Sequence, residues 1–311
     1  MTRWNRPLVV LCAAMAALTV VSLVGVVADD RVLTGAPIWL KVFKFSVSIV
    51  LYSATIAWIL SVLPRRSRAA ERAAVVLVGA LTVEMIIITG QVIRGRTSHF
   101  NNATTLDGIL FNLMGTAILA LWFAQLVITI AVARRPLADR TAALGIRLGL
   151  AVSLLGAAAA VPMTLPLQAQ SATVTGAHSV GVPDGGPGLP LVGWSTTGGD
   201  LRVGHFVGLH ALQALPLLAW LLIALARRGS ALGARLDETT RVRLVGIAGA
   251  AYAALVVLLT WQALRGQPLL RPDALTLAAS GMLVAATAAA AAGALRRRPA
   301  TVEVPDLEPA R

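Results

Sequence analysis

Two lysines, one glutamate and a few histidines stand in or beside apolar stretches of this chain, where chemistry has to be explained. Lys41 and Lys44 are the only lysines; every other basic side chain is arginine. They lie in GAPIWLKVFKFSVSIVLYSATIAW, from Gly35 to Trp58. At about 100° per residue, Lys41, Lys44, Ser48, Tyr52 and Thr55 fall on one helical stripe roughly 80° wide. Lipid cannot solvate such a stripe, so it is expected to face a bundle interior or a water-filled cavity. The alternative is that both ammonium groups snorkel to the headgroups. Glu84 is the one acid in the core of an apolar run and shares a face with Gln91 and Arg94. A carboxylate at that depth must be protonated or paired. Lys44 is its natural partner, either as a proton-carrying pair or as a structural ion pair.

Two further stretches are dense in donors and acceptors. RGRTSHFNNATTLD carries Arg94, Arg96, His99, Asn101 and Asp107, and the following apolar run continues with Asn112 and Thr116 on one face. DLRVGHFVGLHALQ carries Asp200, Arg202, His205, His210 and Gln213. His205 and His210 are roughly 140° apart on a helix and cannot share one metal, whereas His210 and Gln213 share a face. Histidine at such positions ligates haem or a metal, relays protons, or is simply hydrogen-bonded to a neighbour.

The elements that must position these residues follow from composition. The 311 residues are 57% hydrophobic and only 13% charged, which identifies a polytopic membrane protein rather than a soluble domain. The net charge of +13 does not point to nucleic acid, because the arginines sit in short clusters between apolar spans. The single cysteine, Cys12, leaves no disulfide framework and no Cys-based metal site. Eight spans are read, at 8–27, 38–63, 73–93, 109–132, 148–167, 204–226, 243–264 and 274–295, each near the ~20 residues a bilayer needs. The first resembles a signal peptide, but its apolar run is long for one, and it is read as a helix.

Arginines cluster in the N-terminus, in the 2/3, 4/5 and 6/7 connections and after span 8. By the positive-inside rule both termini are cytoplasmic, in a bacterial inner (plasma) membrane. The loop of about 168–203 is then outside; its Gly, Pro, Ser and Thr content and Trp194 suggest a lid at the interface. Residues 299–311 read as a disordered cytoplasmic tail.

Span 3 ends Gln91-Val-Ile-Arg94-Gly, and span 7 ends Gln262-Ala-Leu-Arg265-Gly. Span 2 has Lys44-Phe45 and later Ala57-Trp58, and span 6 has His205-Phe206 and later Ala219-Trp220. These matches, in the same chain order, predict two four-helix halves, 1–140 and 141–298, as a parallel repeat about an axis along the membrane normal.

The lysine-bearing WLKVFKFSVS, RGRTSHFNNAT and DLRVGHFVGLHALQALPLLAW resemble a bacterial family of polytopic membrane proteins of uncharacterised function. In layout the chain is also similar to haem A synthase, with two four-helix halves and an outer-face site. That family places histidines on the even-numbered helices of each half. Here span 6 has His205 and His210, but spans 2, 4 and 8 have none, so the resemblance implies layout alone. A single haem held by His210 or His205 with His99, its propionates on Arg94 and Arg96, is the remaining haem arrangement.

The candidate set, Lys41, Lys44, Gln91, Arg94, Arg96, His99, Asn101, Asp107, Asp200, His205, His210 and Arg265, falls at the outer side, and the inner halves look nearly bare apart from Ser and Thr. The expectation is an outward-opening polar site beneath the long loop, binding a small-molecule, haem-like, quinone-like or lipidic ligand from the bilayer. A proton-coupled transporter of a small anionic solute using Glu84 and Lys44 is the alternative, and a membrane enzyme on a lipid-linked substrate a third. No nucleophile motif, P-loop or zinc signature supports a specific catalytic chemistry.

Overall fold

A computed structural model describes residues 4–165, 173–228 and 233–296; the proposed tail, 299–311, lies outside them. The chain is all-α, with eight helices long and apolar enough to cross a membrane. They are α1 (Arg6–Ala28), α2 (Leu40–Ser61), α3 (Arg68–Ile93), α4 (Thr105–Ala133), α5 (Arg140–Ala158), α6 (Arg202–Ala226), α7 (Glu238–Leu264) and α8 (Ala274–Arg296). Each matches a predicted span to within about five residues, except α5, which starts eight residues before the predicted 148 and ends nine before the predicted 167. Asp139 caps it, accepting from the Ala142 amide at 2.8 Å, so Arg140 and Arg147 lie within the helix instead of before it.

Side-chain caps fix the helix starts. Asn5 accepts from the Leu8 amide, Ser67 from Ala70, Thr104 from Asp107 and Asp237 from Thr240. Asn5 also hydrogen-bonds Glu71, which ties the start of α1 to the start of α3. The main apolar core lies among α1, α2, α3 and α4, around Leu8, Val42, Ile56, Leu77, Ile88, Met114 and Ile128. A smaller core joins α5, α6 and α7 around Val152, Ala211, Leu215 and Val256. α5 and α6 approach backbone to backbone: a Cβ on Gly156 would lie 2.3 Å from the Gly208 carbonyl carbon. Small residues permit this contact, as between helices in lipid. α8 packs on α7 and is otherwise exposed along its length.

Connections that hold irregular structure gather at one end, the loop-rich end; the arginine clusters gather at the other. β1 (Val32–Leu33) and β2 (Ala36–Pro37) form a hairpin whose turn residues Thr34 and Gly35 both have positive φ, 49° and 76°. That is the geometry of a tight two-residue turn. β3 (Ser179–Val180) pairs antiparallel with β4 (Gly199–Asp200) and closes the described part of the long loop. The loop is also joined to the α3–α4 connection: Asn102 N donates to Thr173 O at 2.8 Å, and Thr175 N to Phe100 O at 3.1 Å.

Candidate functional site

The α3–α4 connection turns back into the bundle after Gly95, whose φ is +71°. That fold-back sets His99 between α2 and α3. Its Nδ1 is 3.0 Å from Lys41 Nζ and 3.1 Å from Ser98 Oγ, and its Nε2 is 3.6 Å from Glu84 Oε1. Phe45 and Phe100 meet its ring edge to face, with centroids 5.7 and 6.1 Å away. Burial, reinforced by the Lys41 charge, holds His99 well below the usual imidazole range. A neutral ring that accepts from Lys41 on Nδ1 carries its proton on Nε2, the side facing Glu84.

Glu84 is 2% exposed, and its Oε2 has no hydrogen-bond partner among the described residues. An orphaned carboxylate oxygen inside a bundle is costly unless a proton, water or ligand meets it. Depth counted along straight helices pairs Glu84 with Lys44. In the structure the folded-back connection interposes His99, and Lys41 is the cation facing Glu84. Lys44 points instead to the long loop and donates to Val192 O at 3.3 Å. The polar stripe of α2 does face the bundle further down. Tyr52 donates to Gln125 Oε1 at 2.8 Å, Gln125 to Ser153 Oγ at 2.6 Å, and Gln213 to Thr55 Oγ1 at 3.1 Å.

Several candidates are committed to one another instead of to this cleft. Asp107 is fully buried and accepts from Gln91 Nε2 (2.9 Å), Arg94 (3.0 Å), Arg96 (3.4 Å) and Thr104 Oγ1 (2.7 Å). The two guanidinium groups proposed for haem propionates are thus engaged, and Asp107 is a capping and pairing acid with no free lone pair for base chemistry. Asn101 forms an Asx turn, accepting from the Ala103 amide at 2.9 Å. Asn112 lies on an exposed face of α4, away from the site, and satisfies itself on Gly108 O at 2.9 Å. Back-bonding to the preceding turn lets a polar residue sit on such a face. Asp200 holds Arg202 in a two-point ion pair at 2.9 and 2.5 Å. Arg265 pairs with Asp273 at 2.6 Å and stacks on Trp261, apart from the Glu84 cluster.

His205 Nδ1 is bonded to Gly156 O at 2.8 Å, a contact that the close α5–α6 packing makes possible. His210 lies 3.5 Å from Gln213 Oε1 and meets Phe206 edge to face at 4.5 Å. A haem on His99 would therefore need that ring to leave both Lys41 and Glu84. Among the described residues, no three His, Cys, Asp or Glu side chains gather as a metal site.

The sequence reading passed over His178 and Asp184. His178 Nδ1 is 2.8 Å from Asp184 Oδ2, and its ring packs edge-on to Phe100 at 5.0 Å. Asp184 also accepts from the backbone amides of His178 and Ser179, at 3.0 and 2.8 Å. Burial works against its charge, but these donors outweigh that and hold its carboxyl below the usual carboxylate range. Burial lowers His178, with Asp184 opposing. The Pro-Asp-Gly-Gly turn at 183–186 was the available signal, since Asp in such turns bonds nearby amides. Gln125, 1% exposed on α4, was also missed; it stands alone in an apolar run, and no spacing rule picks it out. No family model, curated protein or solved structure matches the chain.

Proposed function

We propose that this is an integral protein of a bacterial inner membrane, with both termini cytoplasmic. Its polar site beneath the long loop faces outward. The site binds a quinone-like or other lipidic ligand and exchanges protons with it through Glu84, His99 and Lys41. The observation that carries this reading is the unpartnered Glu84 Oε2 at the buried end of that chain. A buried carboxyl beside a neutral imidazole, which in turn meets an ammonium group, is a set of three proton carriers in sequence. Removal of their charge from water fits a ligand that arrives from the bilayer. A haem-like ligand is the less favoured member of this class, because His99 presents no open nitrogen.

The test is extraction of the detergent-purified protein, with mass spectrometry of the bound amphiphile and absorption spectra before and after dithionite. The expected result is a stoichiometric amphiphile that is retained by wild type and depleted at least tenfold in Glu84→Gln and His99→Ala. Protein that carries none, and that binds no added short-chain quinone at any pH between 5 and 9, overturns the reading.

A second reading, proton-coupled transport of a small anionic solute, is favoured by the deeper contacts Tyr52–Gln125–Ser153 and Thr55–Gln213. They continue a polar lining toward the arginine-rich end. Uptake into proteoliposomes under an imposed pH gradient tests it.

We also propose that the chain is two related four-helix halves. Support comes from Gln91 and Arg94 meeting Asp107 at the start of α4, and from Arg265 and Gln267 meeting Asp273 and Thr276 at the start of α8.

A further inference from the structure

The tip of the long loop is a turn from Leu189 to Trp194, closed by Gly193 N to Leu189 O and Leu189 N to Trp194 O, each 2.8 Å. Leu191 at its apex has φ +64° and is 77% exposed. The left-handed region is costly for a leucine, so surrounding contacts must hold it there. The turn's own backbone bonds, with Val192 N to Pro190 O at 2.7 Å across Leu191, do so, and two cations brace the turn from outside. Lys44 Nζ of α2 donates to Val192 O at 3.3 Å, and Arg202 of α6 donates to Gly193 O at 2.5 Å. Successive carbonyls of one strained turn thus occupy a fork formed by an ammonium and a guanidinium from two different helices.

The two cations are unequally balanced. Asp200 takes Arg202 through two oxygens, and Asp200 also accepts from the Ser195 amide at 2.7 Å. Lys44 bonds the neutral Val192 carbonyl and feels Asp200 only through space, without a hydrogen bond to it among the described residues. An ammonium group has three N–H donors, and a carboxylate or phosphate oxygen binds such a donor about twice as strongly as a neutral carbonyl. The flanks of the fork are apolar: Trp194 meets Phe206 edge to face at 5.9 Å, and Phe206 is 37% exposed.

We infer that Lys44 and Arg202 are the head-group subsite for an anionic amphiphile, and that the Val192–Gly193 carbonyls fill this subsite when the loop is closed. This rests on the proposed site beneath the loop and names the charge of its ligand. Entry of a carboxylate or phosphate displaces the two carbonyls, releases Leu191 from its strained conformation and frees the Leu191–Trp194 edge to lie against the bilayer.

The test uses the full chain in nanodiscs of zwitterionic phosphatidylcholine. The probes are cis-parinaric acid and its methyl ester, read by energy transfer from tryptophan, with inorganic phosphate tested separately. Hydrogen exchange of residues 189–194 reports the loop. The acid is expected to bind about tenfold tighter than the ester and to raise exchange at 189–194. Lys44→Met removes that preference, Lys44→Arg restores it, and Leu191→Gly, which relaxes the closed turn, weakens acid binding a few-fold. Equal binding of acid and ester, or a preference that survives Lys44→Met, overturns the inference while leaving a lipidic site in place. Phosphate that opens the loop while the acid does not assigns the fork to a water-soluble anion and overturns the amphiphile. Binding of neither probe, with exchange at 189–194 unmoved by all three, overturns both this inference and the reading it rests on.

Discussion

At the scale of single residues, Glu84, His99 and Lys41 form one unit whose members depend on each other's charge. Lys41 donates to His99 at 3.0 Å, and the imidazole proton that this leaves faces Glu84. Replacing Lys41 by methionine removes a cation and leaves a buried acid and imidazole with no counter-charge. A buried hydrogen-bonding partner lost in this way costs about 1–3 kcal/mol. Glu84→Gln takes away the acid facing Lys41 and puts an unpartnered amide group where Oε2 stood, so it too is expected to destabilise, by up to about 3–5 kcal/mol. The double variant is then expected to be less destabilised than the sum of the two, by a coupling of about 0.5–3 kcal/mol. Thermal unfolding in detergent, followed by tryptophan fluorescence for wild type, both single variants and the double, measures that coupling. Strict additivity would show that Lys41 and Glu84 do not share a charge network.

At the scale of elements, the α3–α4 connection and the long loop are tied together, since backbone hydrogen bonds at 100–102 and 173–175 join them. His99 sits in the first and His178 in the second, and both are half-buried and held below the free imidazole value. The sign of the pH effect follows. A group whose folded pKa is lowered binds fewer protons folded than unfolded, so closure is intact above about 6.5 and weakens as pH falls below it. Asp184 acts in the same direction only near the ordinary carboxylate range, about 4 and lower. The groups facing His99 are Lys41, Glu84, His178 and His205, and the cations among them oppose its protonation. Hydrogen exchange of 97–104 and 173–201, corrected for intrinsic rates, should therefore show more opening at pH 5.5 than at 7.5, and His99→Gln should reduce that difference. No pH dependence in wild type would mean that neither imidazole is coupled to closure. The other element-scale constraint is the α5–α6 contact. Gly156→Val places a side chain against the Gly208 backbone, where a Cβ alone would lie 2.3 Å away. Overpacking of this kind costs about 1–3 kcal/mol. It also pulls Gly156 O from His205, and a lowered midpoint in the same unfolding assay checks it.

At the scale of the whole molecule, hydropathy made the eight helices legible, because a bilayer demands long apolar runs and the chain has no other way to satisfy its backbone. The polar stripe of α2 was legible for the same reason. What stayed out of reach was how the irregular connections fold. Nothing in RGRTSHFNN states that it turns back and carries His99 to Glu84, which is why Lys44 was assigned a partner that Lys41 holds. Nor does helical spacing reveal that Arg94, Arg96 and Asp107 satisfy each other across a loop. The paired arrangement at the ends of α3 and α7 gives a last comparison. Asp107 is fully buried with four side-chain donors, whereas Asp273 is 41% exposed and leans on Arg265, 31% exposed. Exposed pairs are worth about 0–1 kcal/mol, and a buried acceptor stripped of its charge costs about 1–3 kcal/mol. Asp107→Asn should therefore lower the unfolding midpoint clearly more than Asp273→Asn does, although both acids stand at a helix start, Asp107 in the first turn of α4 and Asp273 as the cap of α8. Such a difference would locate the rigid part of the loop-rich end at the start of α4, beside Glu84 and His99. Equal losses would mean that solvent reaches Asp107 more freely than its burial indicates.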